Sequence, residues 1–416
     1  MHEIGEPTHK RRILLADADA FYVAVARLAD PEGAGKAKIL VVGGSSNRGV
    51  VTSASYEARA YGVRSAMPTA TARRLCPEAV FVPVPRQLCS EKSRMILETL
   101  RDLSPVVEPA SIDEFYLDLT GTERLFQGED LTATARRIRK TLKNQTGLSV
   151  SIGGGSSRLI AKLAAKQAKP RPGTDGKGVL VVAAGEELPF MERLKLADLP
   201  MIGPQFQERL ASHGLKTVQD TLAVEQSRLQ QLFGKKTAAW LHDRVRGLDS
   251  ASVTASSPAR SLSHEETFSV DLQSEQDLQR EVLDLSYRVA ADLRTKGLKA
   301  RTVTVKIRYA DFSTRQKSQT LKVPISADRP VLATALDLLR KHRKQRRSPI
   351  RLLGVALSQL SRGPSGPDQL SIFHDEVDAI MESDQDRTLS EVIDKLTGRF
   401  GKKGIRRASQ LDSKRY

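Results

Sequence analysis

Ser111-Ile112-Asp113-Glu114-Phe115-Tyr116-Leu117-Asp118-Leu119 sets two adjacent carboxylates inside an apolar, alternating run. Strand pairing would pin both acids. Burying charge there is costly unless a cation compensates it, so Asp-Glu in such a strand points to a metal site. The same design stands about a hundred residues earlier. There Ile13-Leu14-Leu15-Ala16 reads as a buried strand and runs into Asp17-Ala18-Asp19, then into a helix opening with Phe21-Tyr22. Three or four carboxylates gathered at strand ends could share two magnesium ions.

In this order and wording, the two segments resemble the Y-family translesion DNA polymerases, in particular the DinB (polymerase IV) group. Tyr56-Glu57-Ala58-Arg59, Gly62-Val63-Arg64-Ser65-Ala66-Met67-Pro68, Ser151-Ile152-Gly153 and Ala168-Lys169-Pro170 fall where that family has them. The resemblance covers roughly residues 11 to 362.

Composition agrees with a polyanionic partner. Lys and Arg number 66 against 49 Asp and Glu in 416 residues, a formal net charge of +17. That charge alone would equally fit RNA or an anionic membrane surface. No apolar run approaches the roughly 20 residues of a spanning helix, and Met1 to Arg12 is polar and basic, so a cytoplasmic, nucleoid-associated protein is expected. Cys76 and Cys89 are read as buried thiols, and the scattered histidines as no metal site.

Strand-like and helical segments alternate through residue 182, an α/β first half, and the strands stop from Leu194. The fold class expected is α/β and α+β multidomain: a polymerase right hand plus an α+β little finger. The resemblance implies a palm at 11–20 and 84–176, small fingers at 21–83, a helical thumb at 177–248, a linker at 249–260, the little finger at 261–362 and a tail at 363–416. In the thumb, Leu199-Pro200-Met201-Ile202-Gly203-Pro204 and His213-Gly214-Leu215 read as a helix-hairpin-helix, in which glycine amides would meet a phosphate. An ordinary helical hairpin is the alternative. In the little finger a helix at 275–296, the alternating strand Arg301 to Tyr309, a second strand ending at Pro324, a helix at 330–343, a basic loop Lys341 to Arg347 and a strand Leu352 to Leu357 are expected.

The resemblance also implies roles. Asp17, Asp113 and Glu114 are the catalytic acids, and with the backbone carbonyl of Ala18 they hold two Mg2+ ions. Asp19 is read as capping the helix of Phe21, with metal ligation as its alternative. Ser53, Tyr56, Arg59 and Lys169 would contact the incoming deoxynucleoside triphosphate; Tyr56 and Arg59 share a helix face one turn apart. Tyr22 would be the steric gate against a 2′-hydroxyl. Small side chains at Ser53, Ala54, Ser55 and Ala66 imply a loose fit to the nascent pair, hence low fidelity.

Ile202, Gly203, Gly214, Arg301, Lys306 and Arg308 are candidate contacts to primer-template DNA, which need little sequence preference. Gln369-Leu370-Ser371-Ile372-Phe373 resembles the bacterial sliding-clamp peptide, with Gln369, Leu370, Ile372 and Phe373 as its contacts; the start of a tail helix is the alternative. A monomer is expected.

Departures from the family pattern are Ala26 for Glu, Lys166 for Asp, and Ser157-Arg158 for Asn-Lys. Lys166 and Arg158 are expected to add charge near DNA or triphosphate. The rival readings are a DNA-binding accessory protein that does not synthesise, and a nucleotidyl cyclase, which would need no thumb, basic little finger or clamp peptide.

Overall fold

Ile13, Leu14, Leu15 and Ala16 are almost wholly buried because their strand is the middle of a five-stranded sheet. The computed structural model describes residues 11–46, 48–125, 128–170, 177–255, 258–362 and 382–401. They form two compact units, Met1–Ser257 and Pro258–Tyr416.

The first unit begins β1 (Ile13–Ala18), α1 (Phe21–Ala29), β2 (Leu40–Gly43), β3 (Val51–Ala54), α2 (Tyr56–Ala60), α3 (Thr69–Leu75) and β4 (Val80–Val82). It continues α4 (Arg86–Arg101), β5 (Val106–Pro109), β6 (Glu114–Asp118), α5 (Leu131–Thr146), β7 (Val150–Gly155), α6 (Arg158–Ala168) and β8 (Val179–Val181). The large sheet has the order β5-β6-β1-β7-β8. Side chains alternate along a strand. Leu14, Ala16 and Ala18 therefore join the core made with α4 and α5 (Ile96, Leu100, Ile138, Leu142), while Ile13 and Leu15 pack on Ala161 and Ala165 of α6. Gly153 is what lets α6 lie so close. A Cβ at that position would stand 2.0 Å from the Ala165 nitrogen. The insertion between β1 and α4 makes its own three-stranded sheet, β3-β2-β4, around Val41, Val51, Ala54, Ala58 and Val63.

After β8 the chain is helical through α7 (Glu187–Glu192), α8 (Pro204–Ala211), α9 (Val218–Leu222), α10 (Gln226–Phe233) and α11 (Lys235–Val245). Leu199, Ile202, Leu210, Leu215, Phe233 and Leu241 fill this core.

The expected linker at 249–260 is tied down over its first half. Arg11 donates to the carbonyls of Asp249 and Ala251, Val253 is buried against Tyr116, and the Thr254 N–H donates to Glu108 at 2.8 Å.

The second unit runs β9 (Ser261–Leu272), α12 (Glu275–Thr295), β10 (Leu298–Tyr309), β11 (Thr314–Ile325), α13 (Asp328–Gln345), β12 (Ile350–Arg362) and α14 (Asp384–Phe400). Its sheet, β11-β10-β12-β9, is covered on one face by α12 and α13 through Leu285, Val289, Val303, Val305, Ile307, Leu339 and Val355. This is a split β-α-β arrangement.

Three elements differ from the sequence expectation. β9 is not marked in the sequence because its outward residues are mostly Ser, Thr and Glu and its burial is slight. The basic loop at 341–347 is mostly the last turn of α13; Arg343 is buried and donates to Glu275, and Arg346 pairs with Asp311 over the Tyr309 ring. The stretch from residue 363, read as tail, contains α14. This helix rests on the unit by polar groups, with Asp394 on Arg294, Asp386 on Arg329 and Ser390 Oγ accepting from the Asp328 N–H. Leu389, Val392 and Phe400 face outward. Gln369 to Phe373 lies outside the described residues.

Candidate active site

Strand register decides which acids meet. Asp17, on β1, is the pairing partner of Glu114 at the start of β6, and the Ala18 N–H donates to the Asp113 carbonyl at 2.9 Å. Directly opposite partners in an antiparallel pair have Cβ atoms roughly 5 Å apart. The backbone thus brings the three acids to one sheet end.

Their side chains are drawn to different neighbours. Asp17 Oδ1 accepts from Lys169 Nζ at 2.7 Å, Glu114 Oε2 from Lys162 Nζ at 2.8 Å, and Asp113 Oδ1 from the Ser111 hydroxyl at 2.6 Å. Ser111 Oγ in turn accepts from the amides of Asp113 and Glu114. Among the described residues no three acidic, His or Cys side chains are gathered tightly enough to hold an ion in their present rotamers. The expected convergence on a shared ion is therefore met by the backbone and not by the side chains. The donor set nevertheless fits a hard divalent cation, being carboxylate and carbonyl oxygen throughout.

Burial pushes the Asp17 carboxyl up to about 6, against the pull of Lys169 and with the Glu114 and Asp113 charges helping to raise it. Asp19 does not cap α1, contrary to expectation. The N-cap is Ala20, in the left-handed region at φ 44°, with no side-chain bond. Asp19 instead accepts from Ser151 at 2.7 Å, its second oxygen is buried without a hydrogen-bond partner, and burial raises its carboxyl.

Phe21 is buried while Tyr22 is partly open, and the two rings meet edge to face at 5.4 Å. Burial and then the Asp113 charge push the Tyr22 phenol up. Arg59 lies over the Tyr56 ring at 5.0 Å and donates to the Ala54 carbonyl, so the pair shares one face of α2 as expected. Ser53 is nearly buried on β3. Of the small side chains expected at the nascent pair, Ala54 is in the insertion's core and the Ser55 hydroxyl caps α2; Ala66 is exposed.

Other assignments shift as well. Arg158 makes a bidentate pair with Glu108, donates to the Ser252 carbonyl and stacks on Tyr116; Lys166 pairs with Asp198. Each of these cations thus has an acidic partner within the chain. Gly214, at φ +80°, makes the hairpin turn, and its N–H donates to Ala211. The Ile202 side chain is core, and Gly203 is the N-cap of α8, which no side chain caps. Lys306 and Arg308 share the uncovered sheet face, but Lys306 is paired with Glu265, Arg308 donates to Thr314, and Arg301 sits beside a register shift and donates to the Leu321 carbonyl. Cys76 and Cys89 are free and buried, as expected. Sequence reasoning passed over Lys162; its spacing of seven from Lys169 was the available signal. No helix among the described residues is long and apolar enough to cross a membrane.

Comparison with known proteins agrees across the chain. Residues 16–166 match the impB/mucB/samB family, 259–372 its C-terminal domain, and 197–249 the DNA polymerase-iota thumb domain. A DNA polymerase IV of Desulfatibacillum aliphaticivorans is 38% identical over 94% of this chain and 94% of its own. One from Halorhodospira halophila is 39% identical over 84% and 95%. Among solved structures, the Y-family chimera Dbh-Dpo4(243-245)-Dbh aligns with TM-score 0.72 at 26% identity over 84% of this chain and 98% of that one. The insertion ternary complex of Dbh DNA polymerase aligns with TM-score 0.58 at 25% identity over 83% and 98%.

Proposed function

Because this chain belongs to the impB/mucB/samB family, the Y-family DNA polymerases, and is a DNA-directed DNA polymerase of translesion synthesis, we propose that Asp17, Asp113 and Glu114 are the acids of its active site. The observation that carries this is the register pairing of Asp17 with Glu114, with Asp113 hydrogen-bonded through its carbonyl to Ala18.

Y-family enzymes are metal-dependent nucleotidyltransferases. Two Mg2+ ions, held by these acids and the Ala18 carbonyl, would supply neutralisation of charge on the attacking hydroxyl and the leaving pyrophosphate. The chain's own groups position everything else. Ser111 orients Asp113 and fixes the turn into β6. Lys169, Arg59, Tyr56 and Ser53 receive the triphosphate of the deoxynucleotide, and Tyr22 packs beneath its sugar.

Primer-template DNA is held by the helical region after β8 and by the second unit. In the domain division that follows, the palm is 11–20 with 84–176, the fingers 21–83, the thumb 177–248, the linker 249–260 and the little finger 261–362. Arg301 and Arg308 touch phosphates; Lys306 must first leave Glu265. The segment Gln369 to Phe373 takes a sliding clamp, and the protein works as a monomer in the cytoplasm, near the nucleoid.

Primer extension on a defined template with Mg2+, comparing the parent with Asp113→Ala, tests the site. Template-directed extension by the parent and none by the variant is expected. Equal extension by both would remove Asp113 from the chemistry.

A further inference from the structure

Glu114 and Asp17 each give a carboxylate oxygen to a lysine carried by one helix. Lys162 Nζ reaches Glu114 Oε2 at 2.8 Å, and Lys169 Nζ reaches Asp17 Oδ1 at 2.7 Å. Lys162 lies within α6 and Lys169 is its C-cap. Seven residues are two helical turns, so the two side chains leave the same face. That face is held against β1 and β7 by the close approach at Gly153, where Ala161 and Ala165 occupy the space a side chain would need. The pairs are shielded in part: the side chains of Asp17 and Glu114 are 12% and 24% exposed, those of Lys169 and Lys162 27% and 39%.

A divalent cation on these two acids would stand within a few ångströms of both ammonium groups, and like charges at that range repel strongly in a half-desolvated site. The lysines also hold the acids in rotamers that do not converge on one point. We propose that Lys162 and Lys169 are internal counter-ions that compete with divalent cations for Glu114 and Asp17, making cation loading depend on the arrival of the nucleotide.

Lys169 has a second destination, the triphosphate, whereas Lys162 Nζ donates to Glu114. A triphosphate that draws Lys169 from Asp17 removes a positive charge from the site and adds negative ones. Cation and nucleotide then tighten each other's binding, a coupling that is reciprocal by thermodynamic necessity. Lys162 is a positioning residue in this scheme, acting through Glu114, whereas Lys169 acts through Asp17 until the triphosphate takes it. The inference rests on the assignment of Asp17, Asp113 and Glu114 as the cation-holding acids.

The test is Mn2+ alone, titrated against the full chain by electron paramagnetic resonance, without nucleotide or DNA. K162M and K169M should each bind Mn2+ about fivefold or more tightly than the parent, while K162R, which keeps the charge, stays within about twofold. D113A should lose the site. Where K162M fails to fold by circular dichroism, K162Q replaces it. Unchanged or weaker binding by both neutral variants, with D113A still losing the site, overturns the competition and leaves the acids in place. Parent-like binding by D113A would mean that the cation sits elsewhere, and would overturn the assignment of the acids together with the inference built on it.

Discussion

Asp17 and Glu114 face each other in register across β1 and β6, so the two acids are neighbours in space although 97 residues separate them in the chain. Their proximity has a cost that pH reveals. Burial, with Glu114 and Asp113 adding repulsion, outweighs Lys169 and holds the Asp17 carboxyl at about 6, above its ordinary 3.8. A carboxyl raised on folding contributes stability that is full below the unfolded value and lost as pH rises through the folded one. Asp17→Asn should therefore be more stable than the parent by on the order of 2 kcal/mol at about pH 8, with the gap closing near about pH 4. Urea denaturation at both pH values checks this; a gap that persists in acid would refute the stated cause. Cation binding, which needs the ionised form, should weaken as pH falls through about 6.

Tyr22 is the partly open member of an aromatic pair whose other ring, Phe21, is core. Tyr22→Ala should raise ribonucleotide incorporation by orders of magnitude in single-nucleotide insertion assays, with the fold intact. An unchanged preference for deoxynucleotides would end the gate assignment.

With a single hydroxyl Ser111 donates to Asp113 Oδ1 and accepts from the amides of Asp113 and Glu114. Ser111→Ala should lower kcat/KM about tenfold, since a net bond to an ionised group is worth about 1.5 kcal/mol. Ser111→Thr should recover most of it. The readout specific to positioning is the Mg2+ concentration for half-maximal rate, which should rise in the alanine variant.

Arg294 donates to Asp328, to the Ser326 carbonyl and, through two nitrogens, to Asp394 of α14. Arg294→Ala removes the guanidinium from beside the buried Asp328, and should destabilise the second unit by about 2 kcal/mol, the worth of a lost bond to a charged group. Asp394→Ala should leave that unit folded and raise amide exchange only along α14. Hydrogen exchange followed by mass spectrometry separates the two outcomes.

Deleting Gln369 to Phe373 should abolish stimulation by a sliding clamp while distributive synthesis continues. Loss of basal primer extension would instead mark the segment as structural.

Much was legible in the residues because β1 and β6 carry acids in an apolar alternation that has few other uses. Ile13 to Ala16 and Phe115 to Leu117 announced themselves by their apolar runs. β9 did not, since Ser261 to Leu272 alternates weakly and is held mainly by pairing with β12. Nor did α14, whose docked residues are Asp386, Ser390 and Asp394, a polar face that reads as solvent-facing until Arg294 and Arg329 are seen beneath it.

Local chemistry was enough to name the acids, the aromatic pair and the α/β order, because each is a short-range pattern of side chains on one strand or helix. Which charge answers which was settled only by the fold. Lys162 on Glu114, Lys169 on Asp17, Arg158 on Glu108 and Ser151 on Asp19 are partnerships across 48 to 152 residues. They arise from strand register and helix packing, and an ion pair depends on distance in space, about which order along the chain says little.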